Sequence, residues 1–250
     1  MAKKAAVKKS SPKKVAAKKS AKKATGSTKW TCDAIIAQLR ELGNEKMRTA
    51  GARQGIQGEQ FGVKNGDIRA IADKIKTNHA LALELWKTRI HEAQMLATLL
   101  FKSAEFTEDS LDKLVRSCAN VLVADWLHSH VTKEHPGKEA LRVKWMKCEH
   151  PMTGRAGWRL TAGRVAKDPD GLDLSGLLDR IEKEMAGQVA EIQWTMNACL
   201  AEIGINHPQL RKRAVSIGEK LGIYRDYPVS KGCTSPFAPI WIEAMVKRAK

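Results

Sequence analysis

From Trp30 onward the chain repeats apolar residues three and four apart, the period that gathers them on one face of an α-helix. "CDAIIAQLRELG" puts Ile35, Ile36, Leu39 and Leu42 on such a face and stops at Gly43. "DIRAIADKI" does the same with Ile68, Ile71, Ala72 and Ile75, behind Asp67, an acid suited to a helix start. "HALALELW" and "IHEAQMLATLLF" follow, and "SLDKLVRSCANVLVADWLHSHV" reads as a helix pair. "GKEALRVKWMKCEH" carries Leu141, Trp145 and Cys148 at helical spacing. "GRAGWRLTAGRVA", "LSGLLDRIEKEM", "VAEIQWTMNACLAEIG" and "PQLRKRAVSIGEKLG" complete the series. No stretch alternates apolar and polar residues convincingly, and no Asn-Gly joins two alternating runs, so strands are not expected.

The pattern predicts an all-α domain over residues 30–250, built from about a dozen short helices. A helix pair roughly every 35–45 residues suits a HEAT/armadillo-like helical-repeat solenoid, whose stacked pairs curve around a concave face. An irregular helical bundle has the same periodicity and stays open.

Charge changes the picture at one end. The net charge is +17, from 44 Lys and Arg against 27 Asp and Glu. Eleven lysines and no acid fall in residues 1–29, "MAKKAAVKKSSPKKVAAKKSAKKATGSTK". Like charges repel along this Lys/Ala-rich tail and it has no apolar face, so it is expected to be disordered in isolation. Its "SPKK" is similar to the repeats of histone-type tails that neutralise a DNA backbone; a solubilising or targeting tail has the same composition. A basic chain favours an anionic partner, nucleic acid first and a membrane surface second, and a concave basic groove would fit a duplex. No run of about 18 apolar residues occurs that could span a bilayer, and the N-terminus lacks the apolar segment of a secretory signal. The five cysteines, Cys32, Cys118, Cys148, Cys199 and Cys233, are odd in number and form no C-x-x-C, as in a reduced, intracellular protein. A bacterial cytoplasmic, nucleoid-associated protein is expected, although a Lys-rich tail also suits nuclear import.

Three segments together carry a family resemblance: "EQFGVKNGDIRAIADKI" (59–75), "LALELWKTRIHEAQMLATLLF" (81–101) and "WTMNACLAEIG" (194–204). The chain resembles the HEAT-like DNA alkylation-repair family, the AlkD-type alkylpurine DNA glycosylases, and "DYPVSKGCTSPFAPIWIEAMVKR" is similar to the C-terminal segment of one bacterial branch. The resemblance implies a positively charged groove around DNA; alkylated double-stranded DNA is the expected partner and a monomer the expected state. It implies hydrolysis of the N-glycosidic bond of cationic alkylpurines such as N3-alkyladenine and N7-alkylguanine, with no need to flip the lesion into a pocket. It implies no metal and no organic cofactor. A cationic purine is already a good leaving group, so a carboxylate that stabilises the oxocarbenium-like sugar is the group this chemistry requires. Aromatic faces can hold the cation.

Carried over by residue, the resemblance assigns the catalytic role to Asp125, the one acid in "VLVADWLHSH". Val121 and Ala198 stand where the family has tryptophans, which leaves Trp126, Trp158 and Trp194 as candidates for stacking on DNA. An ionised Asp in an apolar run costs several kcal/mol unless partnered. Asp125 therefore has a structural alternative, pairing with Arg155, Arg159 or a backbone cap. A non-catalytic HEAT-like protein that binds damaged or branched DNA is the second functional expectation, and a scaffold for another protein the third.

Arg155 and Arg159 lie four apart on one helical face and are candidate phosphate contacts, as are Lys144, Arg211 and Lys212 on other basic runs. His128, His130, His135, Cys148 and His150 invite a metal reading, but His128 and His130, two apart, point to different helix faces, and no metal site is expected. Trp86, Trp145 and Trp241 fit packing positions, and the Gly/Pro loop around Cys233 is expected to dock through Phe237 and Trp241.

Overall fold

The computed structural model describes residues 30–249, so the tail read at residues 1–29 lies outside the described residues. Among the described residues, the regular elements are all helical. The α-helices are α1 (Cys32–Glu41), α2 (Glu45–Arg53), α3 (Asn65–Ile75), α4 (His79–Lys87), α5 (His91–Leu100), α6 (Glu108–Arg116) and α7 (Val121–His130). They continue with α8 (Lys138–Trp145), α9 (Pro151–Lys167), α10 (Leu174–Glu184), α11 (Ala190–Asn206), α12 (Pro208–Leu221) and α13 (Ala238–Arg248).

The helices form two layers. The odd-numbered ones from α3 pack in a continuous row, α3 on α5, α5 on α7, α7 on α9, α9 on α11 and α11 on α13. Even-numbered helices lie against that row: α4 on α5, α6 and α8 on α9, α10 and α12 on α11. This is the stacking of helix pairs in which each pair buries its apolar face only against its neighbours.

Burial follows from composition. α9 and α11, at 17 residues each, have little amphipathic character and are buried nearly all round, as central helices should be. α9 is the seam between two cores. Its Ala156 and Leu160 join the core of residues 35–160 around Leu39, Leu85, Leu96 and Leu127. Its Trp158, Ala162 and Val165 join a second core with Leu178, Met196, Leu200 and Ile242. Gly157 lets α9 sit against the end of α8, because a Cβ there would lie 2.7 Å from the Trp145 carbonyl carbon. Trp86 and Trp145 are buried, and the Trp145 indole donates to Asp112 (2.7 Å). Phe237, at the start of α13, is buried with the Arg225 guanidinium over its ring, and Trp241 packs against the second core.

α2 departs from expectation. "EKMRTAGAR" has no apolar face to read, and Gly51 alone is buried in it. Its start is held by the Asn44 side chain, which accepts from the Met47 N–H (3.1 Å).

The "HEAQ" of α5 is a polar clasp. Glu92 is buried and its carboxylate accepts from the backbone N–H groups of Phe61 (3.0 Å), Gly62 (2.6 Å) and Val63 (3.3 Å), the "FGV" loop ahead of α3. His91 Nδ1 accepts from Asn120 Nδ2 (3.1 Å), while Asn120 Oδ1 accepts from Leu122 and Val123 N–H and caps α7. Gln94 donates to the Trp86 carbonyl (3.3 Å) and accepts from the Ala119 N–H (3.3 Å). The two quoted motifs thus meet, and what they hold in place is the N-terminus of α7, the helix that carries Asp125.

Candidate functional site

Asp125 sits midway along α7 and faces α9. Its Oδ1 accepts from Arg155 Nη2 at 2.7 Å. The two sides of this pair differ sharply, the Arg155 side chain being 6% exposed and that of Asp125 43%. Arg155 Nη1 donates to the Glu191 carbonyl on α11 (3.2 Å), so one guanidinium ties three helices of the row. Asp125 Oδ2 has no hydrogen-bond partner among the described residues. The carboxylate is therefore oriented from beneath and open from above.

The cavity that Asp125 itself lines is too small for a base, while larger ones of about 260 and 310 Å³ reach the neighbouring Trp126 and His128. The cavity lined by Asp125, His128, Arg155, Arg159, Cys118 and Met152 has a volume of about 10 Å³, room for roughly one water molecule. His128, a turn beyond Asp125, bonds Thr132 through Nδ1 (3.2 Å). Burial, reinforced by Arg159, Lys133 and Arg155, pushes its imidazole down to about 3, so it is neutral at physiological pH. Burial pushes the Cys118 thiol up, which makes it unreactive.

Aromatic side chains flank the pair on both sides. Trp126 carries the Arg69 guanidinium over its ring, 4.4 Å from the centroid, and meets the His130 ring edge-on at 5.9 Å. On the α11 side, Trp194 lies one turn beyond Glu191 and packs against Tyr224 (5.2 Å) and Tyr227 (5.8 Å), which are 5.7 Å from each other. The sequence reading singled out Trp126 and Trp194 but missed Arg69, Tyr224 and Tyr227. The signal available was "YRDY" directly after α12, two aromatics in a polar turn with no apolar period to explain them.

The other predicted residues divide. Arg159 is exposed at the rim of the small cavity, and Lys212 is exposed on α12, neither with an ion-pair partner among the described residues. Lys144 is half exposed and lies 3.8 Å from Asp112 and 3.9 Å from Asp109. Three expectations need correction. Trp158 is 2% exposed, in the second core with Arg180 over its ring (5.1 Å), because α9 is buried nearly all round; it offers no face to DNA. Arg155 does not share an exposed face with Arg159; it turns inward and anchors Asp125. Arg211 donates to the carbonyls of Gly204 (2.7 Å) and Ile205 (3.0 Å), closing the end of α11 rather than reaching outward.

No group of three or more His, Cys, Asp or Glu positioned for a metal occurs among the described residues. His135 instead bonds the Phe106 carbonyl through Nε2 (3.0 Å), and the Cys148 sulfur accepts from Thr153 Oγ1 (3.0 Å) and Arg116 Nη2 (3.3 Å). All five cysteines are free thiols.

Residues 35–229 match the family model described as DNA alkylation repair enzyme. A solved structure described as a new family of proteins related to the HEAT-like repeat DNA glycosylases with affinity for branched DNA structures superposes with a TM-score of 0.73. The match is at 21% identity and covers 88% of this chain and 95% of that one. At that identity the likeness establishes the fold, a HEAT-like helical repeat. No curated protein matches the chain.

Proposed function

The chain belongs to the DNA alkylation repair enzyme family, and from that premise we propose that it binds double-stranded DNA and hydrolyses the N-glycosidic bond of cationic alkylpurines, with Asp125 as the catalytic carboxylate. The observation that carries this reading is the half-exposed carboxylate with one oxygen held by buried Arg155 and the other open to solvent. In an N3-alkyladenine or N7-alkylguanine nucleotide the base already carries a positive charge. Cleavage sends the C1′–N bonding pair onto the base, which departs as a neutral purine. Positive charge develops on the sugar, where a fixed carboxylate stabilises it, and a water molecule adds to C1′ and releases its proton. No acid need protonate the base. The cavity that Asp125 lines is too small to enclose a base, which supports a reaction in which the sugar meets the carboxylate without the base entering a pocket there, unlike enzymes that enclose a flipped base. Arg69 on Trp126, Arg159 and Lys212 are suited to backbone phosphates.

A second reading has its own observations. Val121 and buried Ala198 replace the tryptophans that the resemblance leads one to expect, and the Arg155 guanidinium offsets part of the charge that Asp125 would present to a cationic sugar. Both favour a protein that binds damaged or branched DNA without cleaving it. The two readings separate in one assay: N7-methylguanine duplex is incubated with the wild type and with Asp125→Asn, and released base is quantified. Release that disappears in the variant supports hydrolysis. Tight binding without release in either protein supports the second reading.

A further inference from the structure

We infer that Trp194, Tyr224 and Tyr227 form a stacking platform for a nucleobase displaced from the duplex, next to Asp125; this rests on the DNA-binding part of the proposed function but not on hydrolysis. Three rings with mutual centroid distances of 5.2–5.8 Å are a common way to fill a core. These do not fill one. Trp194 and Tyr224 are partly exposed, and Tyr227 is 46% exposed, followed by equally open Val229. A cluster of aromatic rings left partly open suits an unstacked base, since every base has a π-face.

Position argues the same way. Arg155 joins Asp125 on one side to the Glu191 carbonyl on the other, and Trp194 is one helical turn from Glu191. Burial and Tyr227 push the Tyr224 phenol up while the Arg155 charge opposes them, so Tyr224 lies within electrostatic reach of the same guanidinium. The platform and the carboxylate thus flank one buried arginine. A nucleotide whose sugar reaches Asp125 can lay its base toward these rings.

The backbone supplies an independent sign. After Gly222 ends α12 in the left-handed region, Tyr224 itself adopts φ +63°, a conformation a bulky side chain rarely takes. Such strain persists only where the surroundings enforce it, and it concentrates at ligand-binding positions. Here a turn with the Tyr227 N–H on the Tyr224 carbonyl (3.2 Å), and Arg225 both over the Phe237 ring (4.6 Å) and bonded to Glu219, fixes it. Without that turn the tyrosines would not reach Trp194.

The occupant is a neutral or cationic base out of the stack. The electron-rich faces favour the cation further, which fits a lesion but is not required. The test uses the full chain and two duplexes, one fully paired and one with a single bulged 2-aminopurine, whose fluorescence falls when it stacks. The wild type should bind the bulged duplex at least about fivefold more tightly and quench its fluorescence. Tyr227→Ala should lose both effects and Tyr227→Phe, which keeps the ring, should retain both. Because Tyr227 is exposed, unchanged helical circular dichroism in Tyr227→Ala confirms that the fold survives. A Tyr227→Ala protein that still quenches and still prefers the bulge overturns the platform; so does a wild type that does not quench the bulged duplex. Base release from N7-methylguanine duplex, measured on the same preparations, reports on hydrolysis separately, so an inactive protein that stacks the bulged base leaves the platform standing and removes only the enzymatic reading.

Discussion

Acid should destabilise the fold, and His128 on α7 should account for a defined share. The imidazole is neutral in the fold, held down to about 3 first by burial and then by Arg159, Lys133 and Arg155. In the unfolded chain the same group titrates near its ordinary value of about 6.5. The unfolded state therefore takes up a proton as pH falls through about 6.5 while the folded state does not, and the stability this histidine contributes above about 6.5 drains away as pH drops toward about 3. At about 1.4 kcal/mol per pH unit, stability falls by about 2 kcal/mol between pH 7.5 and pH 5. For a chain of this size that is roughly 4–8 °C in Tm. His128→Asn keeps a polar group near Nδ1 to meet Thr132 Oγ1 but cannot be protonated. Thermal melts of the wild type and the variant at pH 7.5 and pH 5.0 give the comparison, in a window above the range where the lowered carboxylates of Asp112 and Glu139 begin to titrate. The variant should lose several degrees less than the wild type. Equal losses in the two proteins would refute the reasoning. His91 and His130, also held below the ordinary range chiefly by burial, add to the pH slope of both proteins alike.

Two further substitutions probe how the site is held. Glu92→Gln keeps one acceptor oxygen but turns an amide N–H toward one of the three loop N–H groups. It should cost about 2 kcal/mol and speed amide hydrogen exchange at Phe61, Gly62 and Val63, and wild-type exchange rates at those three amides would contradict the clasp. Arg155→Met keeps the stem and deletes the guanidinium. Because water can solvate half-exposed Asp125, stability should fall by only about 1–2 kcal/mol, whereas base release should fall about tenfold or more, with Arg155→Lys recovering part of it; unaltered release in the Met variant would show that Arg155 does not orient Asp125.

The architecture was legible in the sequence because each helix writes its buried face locally. The periods of α1, α3 and α5 are visible in ten or eleven residues apiece, and Asn120 between α6 and α7 marks the break inside the predicted helix pair. α2 was not legible, since it buries a glycine and rests on a cap rather than on an apolar stripe. Within the site, the Asp125–Arg155 pair stood among the alternatives that the apolar run around Asp125 suggested. Trp158 misled because a Trp among arginines looks like a surface motif, and only the packing of α9 against α11 shows it enclosed. The Arg69–Trp126 stack joins α3 to α7, and the Trp194–Tyr224–Tyr227 cluster depends on a left-handed turn; both are tertiary facts with no local periodicity to announce them.

The most direct test of the catalytic assignment is a single-turnover time course of N7-methylguanine release from duplex DNA, with enzyme in excess and binding followed in the same samples. Hydrolysis at Asp125 predicts release by the wild type above the spontaneous rate, and loss of that excess in Asp125→Asn with DNA still bound. Release at the same rate in both proteins, or none from a fully bound wild-type complex, would contradict it.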